Sequence, residues 1–264
     1  SLHERAFGDP GYPLGALNSS TTLLRGRIAL GAARRVAGGS LSLPTEISGE
    51  LLTESDLGDR GRLTLAAAPS FRPPSLRVGG SSLETELQGR VELLGSGDRA
   101  GSVLAETVTL PSFRGGLTWS FLDRFLRSSL ALSAGYRLPT YAELFWPAAG
   151  FAVGNPSLEP ERSRGVELEI TLGKSDARSL SVTGHLTEYR ELIRWLPDPT
   201  GIWRPRNGGR GLVYGSEASL RHRAPIGLSP WEIELSVAAE VLFALDRNPG
   251  PARDMQLPYR HRYA

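Results

Sequence analysis

Apolar and polar residues alternate with a period of two along most of the chain. The cleanest run is 82–93, where Leu83, Leu87, Val91 and Leu93 share a face with Thr85 and Gly89, and Ser82, Glu84, Glu86, Gln88, Arg90 and Glu92 take the other. A helix would scatter these residues around its axis, so the spacing predicts a strand with one greasy and one charged side. The same pattern sets Leu24, Ile28 and Leu30 against Arg25 and Arg27, and Leu41, Leu43, Ile47 and Leu51 against Ser42, Glu46, Ser48 and Glu50. It returns with Leu63, Leu65 and Ala67, with Leu117, Trp119 and Phe121, and with Leu132, Ala134 and Tyr136. Later, Val166, Leu168, Ile170 and Leu172 oppose Glu167, Glu169 and Thr171; Leu180, Val182 and Leu186 alternate with Ser181, Thr183 and His185; and Trp231, Ile233, Leu235, Val237 and Val241 oppose Glu232, Glu234, Ser236 and Glu240. Residues 103–110 read as a weaker strand of their own. The total is about eleven or twelve strands, several longer than the roughly five to six residues usual in soluble sheets and suited to a tilted bilayer crossing.

Breakers punctuate these runs. The first 20 residues, rich in Gly, Pro, Asn and Ser, read as loop, and 54–61 and 95–102 as turns. Connections at 123–127, 174–178 and 223–229 are short, whereas 138–164, 195–208 and 246–257 are long. Within 138–164, Pro139, Pro147, Pro156 and Pro160 each lack a ladder donor, which predicts strand, long structured loop, strand. Long loops at one end and short turns at the other are the topology expected of a membrane barrel with external loops. Alternation alone fits a soluble sandwich equally well. Bulky charges on the polar face, aromatics such as Tyr136, Trp119 and Trp231 near strand ends, and the one-sided loops favour an all-β, antiparallel transmembrane β-barrel.

Composition narrows the function classes. The chain of 264 residues has no cysteine, which excludes disulfides and Cys-based metal or redox sites. With 30 basic and 28 acidic residues the net charge is +2, so no global field favours nucleic acid. No run reaches the roughly 18–20 apolar residues of a spanning helix, a test that does not apply to barrels. The opening SLHERAFGDPGYPLG has no apolar stretch after a basic one and is read as no signal peptide. His3, His185, His222 and His261 are scattered, and no nucleophile–base grouping or phosphate loop stands out, so no metal, cofactor or enzymatic chemistry is expected.

The stretch 130–172 carries a resemblance. Tyr136, Arg137, Pro139, Thr140, Glu143 and Leu144, then Gly154, Asn155, Pro156, Leu158, Pro160 and Glu161, then Glu167 follow in order the motif run of TonB-dependent outer-membrane receptors. Asn207-Gly208, with Gly215 and Glu217 in the next strand, matches that family's Asn-x-Gly…Gly-x-Glu pattern, and LPYR at 257–260 resembles the opening of a late strand. Residues 110–264 mostly follow the family, while 1–109 fit as generic barrel strands. The resemblance implies a 22-stranded barrel filled by an N-terminal plug, of which this chain would be a partial barrel covering the middle and later strands. It also implies active uptake of a scarce bulky nutrient (ferric siderophore or cobalamin, with haem, glycans or metals in relatives) through the bacterial outer membrane. The energy would come from the TonB–ExbB–ExbD complex acting through the plug, and no covalent bond would be made or broken. Haem receptors of the family place a histidine between the Pro-Thr and Asn-Pro motifs; residues 141–154 hold none, which disfavours haem.

Candidate ligand contacts are the loop aromatics Tyr141, Phe145, Trp146 and Phe151, with Trp195, Trp203 and Arg204 in the second long loop. Arg137 and Glu143 flank the loop base and read chiefly as anchors; Asn155, Pro156 and Pro160 read as a stiffened turn. Glu167 and Glu169 share one strand face and read as inner wall. An adhesin-like surface β-domain without transport is the competing reading.

Overall fold

The computed structural model describes residues 2–7, 19–54, 58–97, 106–122, 125–146, 151–175, 178–225, 232–249, 253 and 255. The strands are β1 (Leu2–Phe7), β2 (Ser19–Val36), β3 (Gly39–Glu54), β4 (Gly58–Ala67), β5 (Ser70–Arg72), β6 (Leu76–Val78) and β7 (Ser81–Gly97). There follow β8 (Glu106–Phe121), β9 (Leu126–Arg137), the short helix α1 (Tyr141–Phe145), β10 (Glu161–Ser175), β11 (Arg178–Pro197), β12 (Trp203–Pro225) and β13 (Glu232–Asp246). All strands join one antiparallel sheet in sequence order, β5 and β6 forming short side pairs beside β7. Among the described residues β1 pairs only with β2 and β13 only with β12, leaving those two edges open.

The register keeps the two faces separate across the sheet. Glu84, Thr118, Ser129, Glu169, Thr183, Glu217 and Glu240 are successive cross-strand partners, an unbroken polar row over seven strands. One pleat away, Leu117, Leu130, Leu168, Gly184, Ser216 and Val241 form the matching outward row. Leu132 and Leu235 are each 50% exposed and Leu168 45%: nothing among the described residues covers this face. The sandwich reading therefore fails, because its leucines would lie between two packed layers. What exists is a single curved wall.

The curvature has a direction. Arg62 on β4 donates from Nη2 to the carbonyl of Pro139, just past β9, at 3.2 Å. β7 and β8 lie between these strands, so the contact is a chord across a concave face. Arg62 pairs in register with Glu50, and Glu50 with Arg25, so the concave face is the charged one.

Several element boundaries differ from the sequence reading. Leu2–Phe7, expected as loop, is a strand; it has no alternation of its own and is held by pairing with Ser19–Leu24. The described part of 103–110 and residues 115–121 belong to one strand, β8, which starts at Glu106 and runs through Pro111. Pro111 lies beyond Phe113, the last β8 residue paired with β9, so the strand has one neighbour there and tolerates a missing N–H. The long loop placed at 195–208 is mostly strand. β11 continues to Pro197 and β12 starts at Trp203, so only 198–202 turn, and this hairpin rises past the point (Gly211 opposite Asp246) where β13 joins. Pro197 and Pro205 lie in this two-stranded projection, beyond the ladders of β11 to β10 and of β12 to β13, where a missing N–H is tolerated. The loop at 138–164 spans 138–160, contains α1, and β10 already begins at Glu161. Residues 257–264, Trp231 and Pro147 lie outside the described residues.

At the opposite end β2 and β3 are joined by Ala37 and Gly38 alone, both at positive φ (49° and 78°), the two-residue hairpin whose twist matches the strands. The 138–160 connection lies at the other end, called here the upper rim, together with the 198–202 turn.

Candidate functional site

Helix α1 is one turn and a half, too short to persist alone. It is fixed by its start. Thr140 Oγ1 accepts from the Glu143 N–H at 3.2 Å while the Glu143 carboxylate accepts from the Thr140 N–H at 2.7 Å, a reciprocal cap. Arg137 then ties the segment to the wall. Its Nε and Nη2 each donate to Glu161 at 2.7 Å, and Nη1 and Nη2 to Glu143 at 3.1 and 3.0 Å. Glu161, buried, also accepts from the Ile193 N–H at 2.8 Å. One planar guanidinium thereby joins β9, α1 and β10, and the carboxylate passes the connection on to β11. Burial pushes the Glu143 carboxyl up, but its bonds from Arg137 and Thr140 outweigh this and hold it below the ordinary carboxylate value. Arg137 and Glu143, read from the sequence as anchors, are found together; that Glu161 completes the set was not read.

The rest of the loop is sewn to the β11–β12 hairpin. The Gly154 N–H reaches the Trp146 carbonyl at 2.9 Å and the Asn155 N–H the Glu143 carbonyl at 2.9 Å. Gly154 packs so tightly on α1 that a methyl group there would overlap the backbone of Leu144–Trp146. Trp203 donates to Phe151 O at 2.8 Å and Val153 to Trp203 O at 3.0 Å, a parallel bridge between loop and β12. Asn155 Oδ1 accepts from the Ser157 N–H at 3.0 Å, a local turn that leaves Pro156 exposed, and its Nδ2 donates to Pro205 O at 3.1 Å. Asn207 clamps from the other side. Its Nδ2 donates to Glu159 O (2.8 Å) and Glu191 O (3.0 Å) and its Oδ1 accepts from the Glu159 N–H (2.8 Å). Glu191 sits at positive φ (55°) where the β11 register slips, and Gly208 follows at φ 107°. The Asn-Pro and Asn-Gly motifs are therefore two halves of one fastening.

The candidate ligand residues divide into two groups. Trp146, Phe151 and Trp203 are exposed at 41, 53 and 45%, and Trp146 meets Trp195 edge-on with centroids 6.2 Å apart: an aromatic ridge on a fixed frame. Tyr141 and Phe145 instead turn to the concave face. The Arg62 guanidinium lies 4.9 Å from the Tyr141 ring and that of Arg60 4.6 Å from the Phe145 ring. Burial pushes the Tyr141 phenol up, with Arg62 opposing. Neither arginine is singled out by the sequence: Arg60 falls in the expected turn at 54–61, and of the strand that follows only the apolar face, Leu63, Leu65 and Ala67, stands out. Glu167 and Glu217 face inward, opposite His185 and Glu240.

Arg204 is occupied by Asp198, with Nε to Oδ2 at 3.1 Å. Asp198 also accepts from Thr200 Oγ1 (2.5 Å) and from the N–H groups of Thr200 (2.9 Å) and Ile202 (3.1 Å). These bonds, that from the Thr200 hydroxyl foremost, hold its carboxyl at about 2 against an ordinary 3.8. A depressed carboxyl stabilises the turn fully above its unfolded value and loses that contribution as pH falls through the folded one. The side-chain carbon of Asp198 in the full-length protein is accordingly expected to titrate near pH 2, with the turn intact at pH 4 and above; a midpoint at or above 3.8 would remove this account of the hairpin tip.

Comparisons with known proteins agree with the geometry. The model of the TonB-dependent receptor-like β-barrel matches residues 87–258. The vitamin B12 transporter BtuB of Photobacterium profundum is 33% identical over 109 residues, which are 38% of this chain and 17% of that protein. The BtuB of Vibrio vulnificus is 31% identical over 84 residues, 31% of this chain and 13% of that one. Among solved structures, the copper transporter OprC superposes with a TM-score of 0.68 at 14% identity, covering 95% of this chain and 41% of that chain. An FrpB iron transporter from Neisseria meningitidis gives 0.60 at 10% identity, covering 92% and 39%. The chain thus spans under half the length of these proteins, and the structural likenesses show the fold. With well over half of its residues under the family model, its motifs knitted into one rim and its wall built as a single curved sheet, the chain belongs to the TonB-dependent receptor β-barrel family.

Proposed function

We propose that the chain is the barrel part of an outer-membrane receptor that takes up a scarce, bulky nutrient, cobalamin or a ferric siderophore, with energy from TonB and its ExbB–ExbD partners. The family is one of transporters, not enzymes, and the reading assigns no covalent step. The observation that carries it is the ridge of Trp146, Phe151 and Trp203, exposed yet held by backbone bonds on both sides. Large rigid aromatics presented at low entropic cost are what a bulky cargo needs at its point of capture. Arg137, Glu143, Asn155 and Asn207 position that ridge, and the charged concave face lines the route beyond it. Two sequence relatives are named as vitamin B12 transporters, which puts cobalamin first and a siderophore second.

The test is binding of labelled cyanocobalamin and of a ferric siderophore to the full-length receptor. One of the two should bind, and Trp146→Ala with Trp203→Ala should weaken it by about tenfold or more. Unchanged affinity in that double variant would remove the ridge from the capture site, and binding of neither compound would remove the cargo assignment.

A further inference from the structure

The segment 139–146 does not stand over the rim as a free loop. It lies as a strap across the concave face, over β7 and β8, and is caught on β4. We propose that Arg62 is an oxyanion-receptive catch: it holds this strap closed, and binding of a carboxylate, catecholate or phosphate group to its guanidinium releases it.

The catch is poorly satisfied as it stands. The Arg62 side chain is only 13% exposed, yet its nearest carboxylate, Glu50, is 4.0 Å away and already holds Arg25 at 2.7 Å. Among the described residues its buried Nε has no hydrogen-bond partner, and neither has the buried Tyr141 hydroxyl. What Arg62 does hold is weak: a neutral carbonyl, that of Pro139, at 3.2 Å, and the face of the Tyr141 ring. A buried guanidinium with an unspent donor carries a desolvation cost that a charged acceptor would remove.

The geometry says what such an acceptor would do. Nε and Nη2 form one edge of the guanidinium, the edge a planar or tetrahedral oxyanion grips with two parallel bonds. Nη2 is also the atom that reaches Pro139. An oxyanion seated on this edge takes the free Nε and competes with the Pro139 carbonyl for Nη2, setting a charge-assisted pair against a neutral contact. It thereby loosens the bond that holds the strap down. Trp146 is the last residue of the strap, so its release frees one end of the aromatic ridge. The inference rests on the uptake reading only for the source of the anion, an acidic group carried by the cargo.

The test uses inorganic phosphate and the full-length receptor, with hydrogen exchange of the Leu144 and Trp146 amides, which bond to Thr140 and Ala142 carbonyls, as readout. Millimolar phosphate should raise their exchange several-fold and saturably, and chloride at equal ionic strength should not. Arg62→Met should raise basal exchange and abolish the phosphate response while amides of β10 and β11 stay unchanged. Should Arg62→Met fail to fold, Arg62→Lys keeps the charge without the fork and should also lose the response. No phosphate effect in the wild type, or an undiminished effect in the variant that folds, overturns the proposal. Cargo affinity is measured separately, so either reading can fail while the other stands.

Discussion

A Leu168→Arg exchange is expected to cost the membrane-inserted, full-length receptor about 2–4 kcal/mol, and Glu169→Gln, one residue further along the same strand, no more than about 0.5 kcal/mol. Leu168 is central in β10, 45% exposed, and belongs to the outward row from Leu117 to Val241. With no second layer over that row among the described residues, hydrocarbon is the partner its exposure calls for, and a guanidinium there lacks both water and a counter-charge. Glu169 belongs to the inward polar row, where Thr171 already donates to it at 3.0 Å and a neutral amide can stand in. Equilibrium unfolding from lipid vesicles measures both. Equal costs at the two positions would mean that the faces have been assigned the wrong way round.

The second large effect is expected at Glu161. Glu161→Ala should destabilise the upper rim by about 2–4 kcal/mol, more than Glu143→Ala. The Glu161 side chain is 9% exposed, and its loss strands both the Arg137 guanidinium and the Ile193 N–H. Arg137 itself is 44% exposed, so water recovers part of what it loses, and the figure stays at the low end for a buried pair. Glu143→Ala removes the α1 cap and two longer bonds, leaving the Arg137–Glu161 pair intact. Limited proteolysis of the full-length receptor should accordingly cut within 138–160 and also at the β11–β12 hairpin in the Glu161 variant, but only within 138–160 in the Glu143 variant. Identical cleavage patterns would show that Glu161 does not carry the connection to β11.

The wall of this protein was plain in its alternation because the strands from β7 onward keep the same two faces over most of their length, up to the register slips after Leu172 and Tyr189, and a period of two needs no knowledge of neighbours. What alternation could not show was where pairing, rather than composition, makes a strand. Leu2–Phe7 has no pattern of its own, and Pro111, Pro197 and Pro205 look like breakers until it is known that each sits where a strand has one neighbour. The rim was half legible. Arg137 and Glu143 could be recognised as anchors, and Asn155 and Asn207 as motif residues, by their order, but partners such as Glu161 for Arg137, Glu159 for Asn207 and Pro205 for Asn155 are 24, 48 and 50 positions away. The split of the aromatics was not legible at all. Tyr141 and Phe145 differ from Trp146 only in which side of a short turn they occupy, and the arginines that receive them come from a strand three places away in the sheet.

The fastening of the β9–β10 connection has a consequence for how such receptors diversify. From Arg137 to Trp146 the backbone is committed to the wall, and from Phe151 to Glu161 to the neighbouring hairpin, with the Gly154-to-Trp146 bond closing the circuit. Both arms are held through backbone groups and through motif residues other than the exposed Trp146, Phe151 and Trp203. Evolution, or a protein engineer, can therefore exchange those three outward side chains while the same motif residues keep the gatehouse standing.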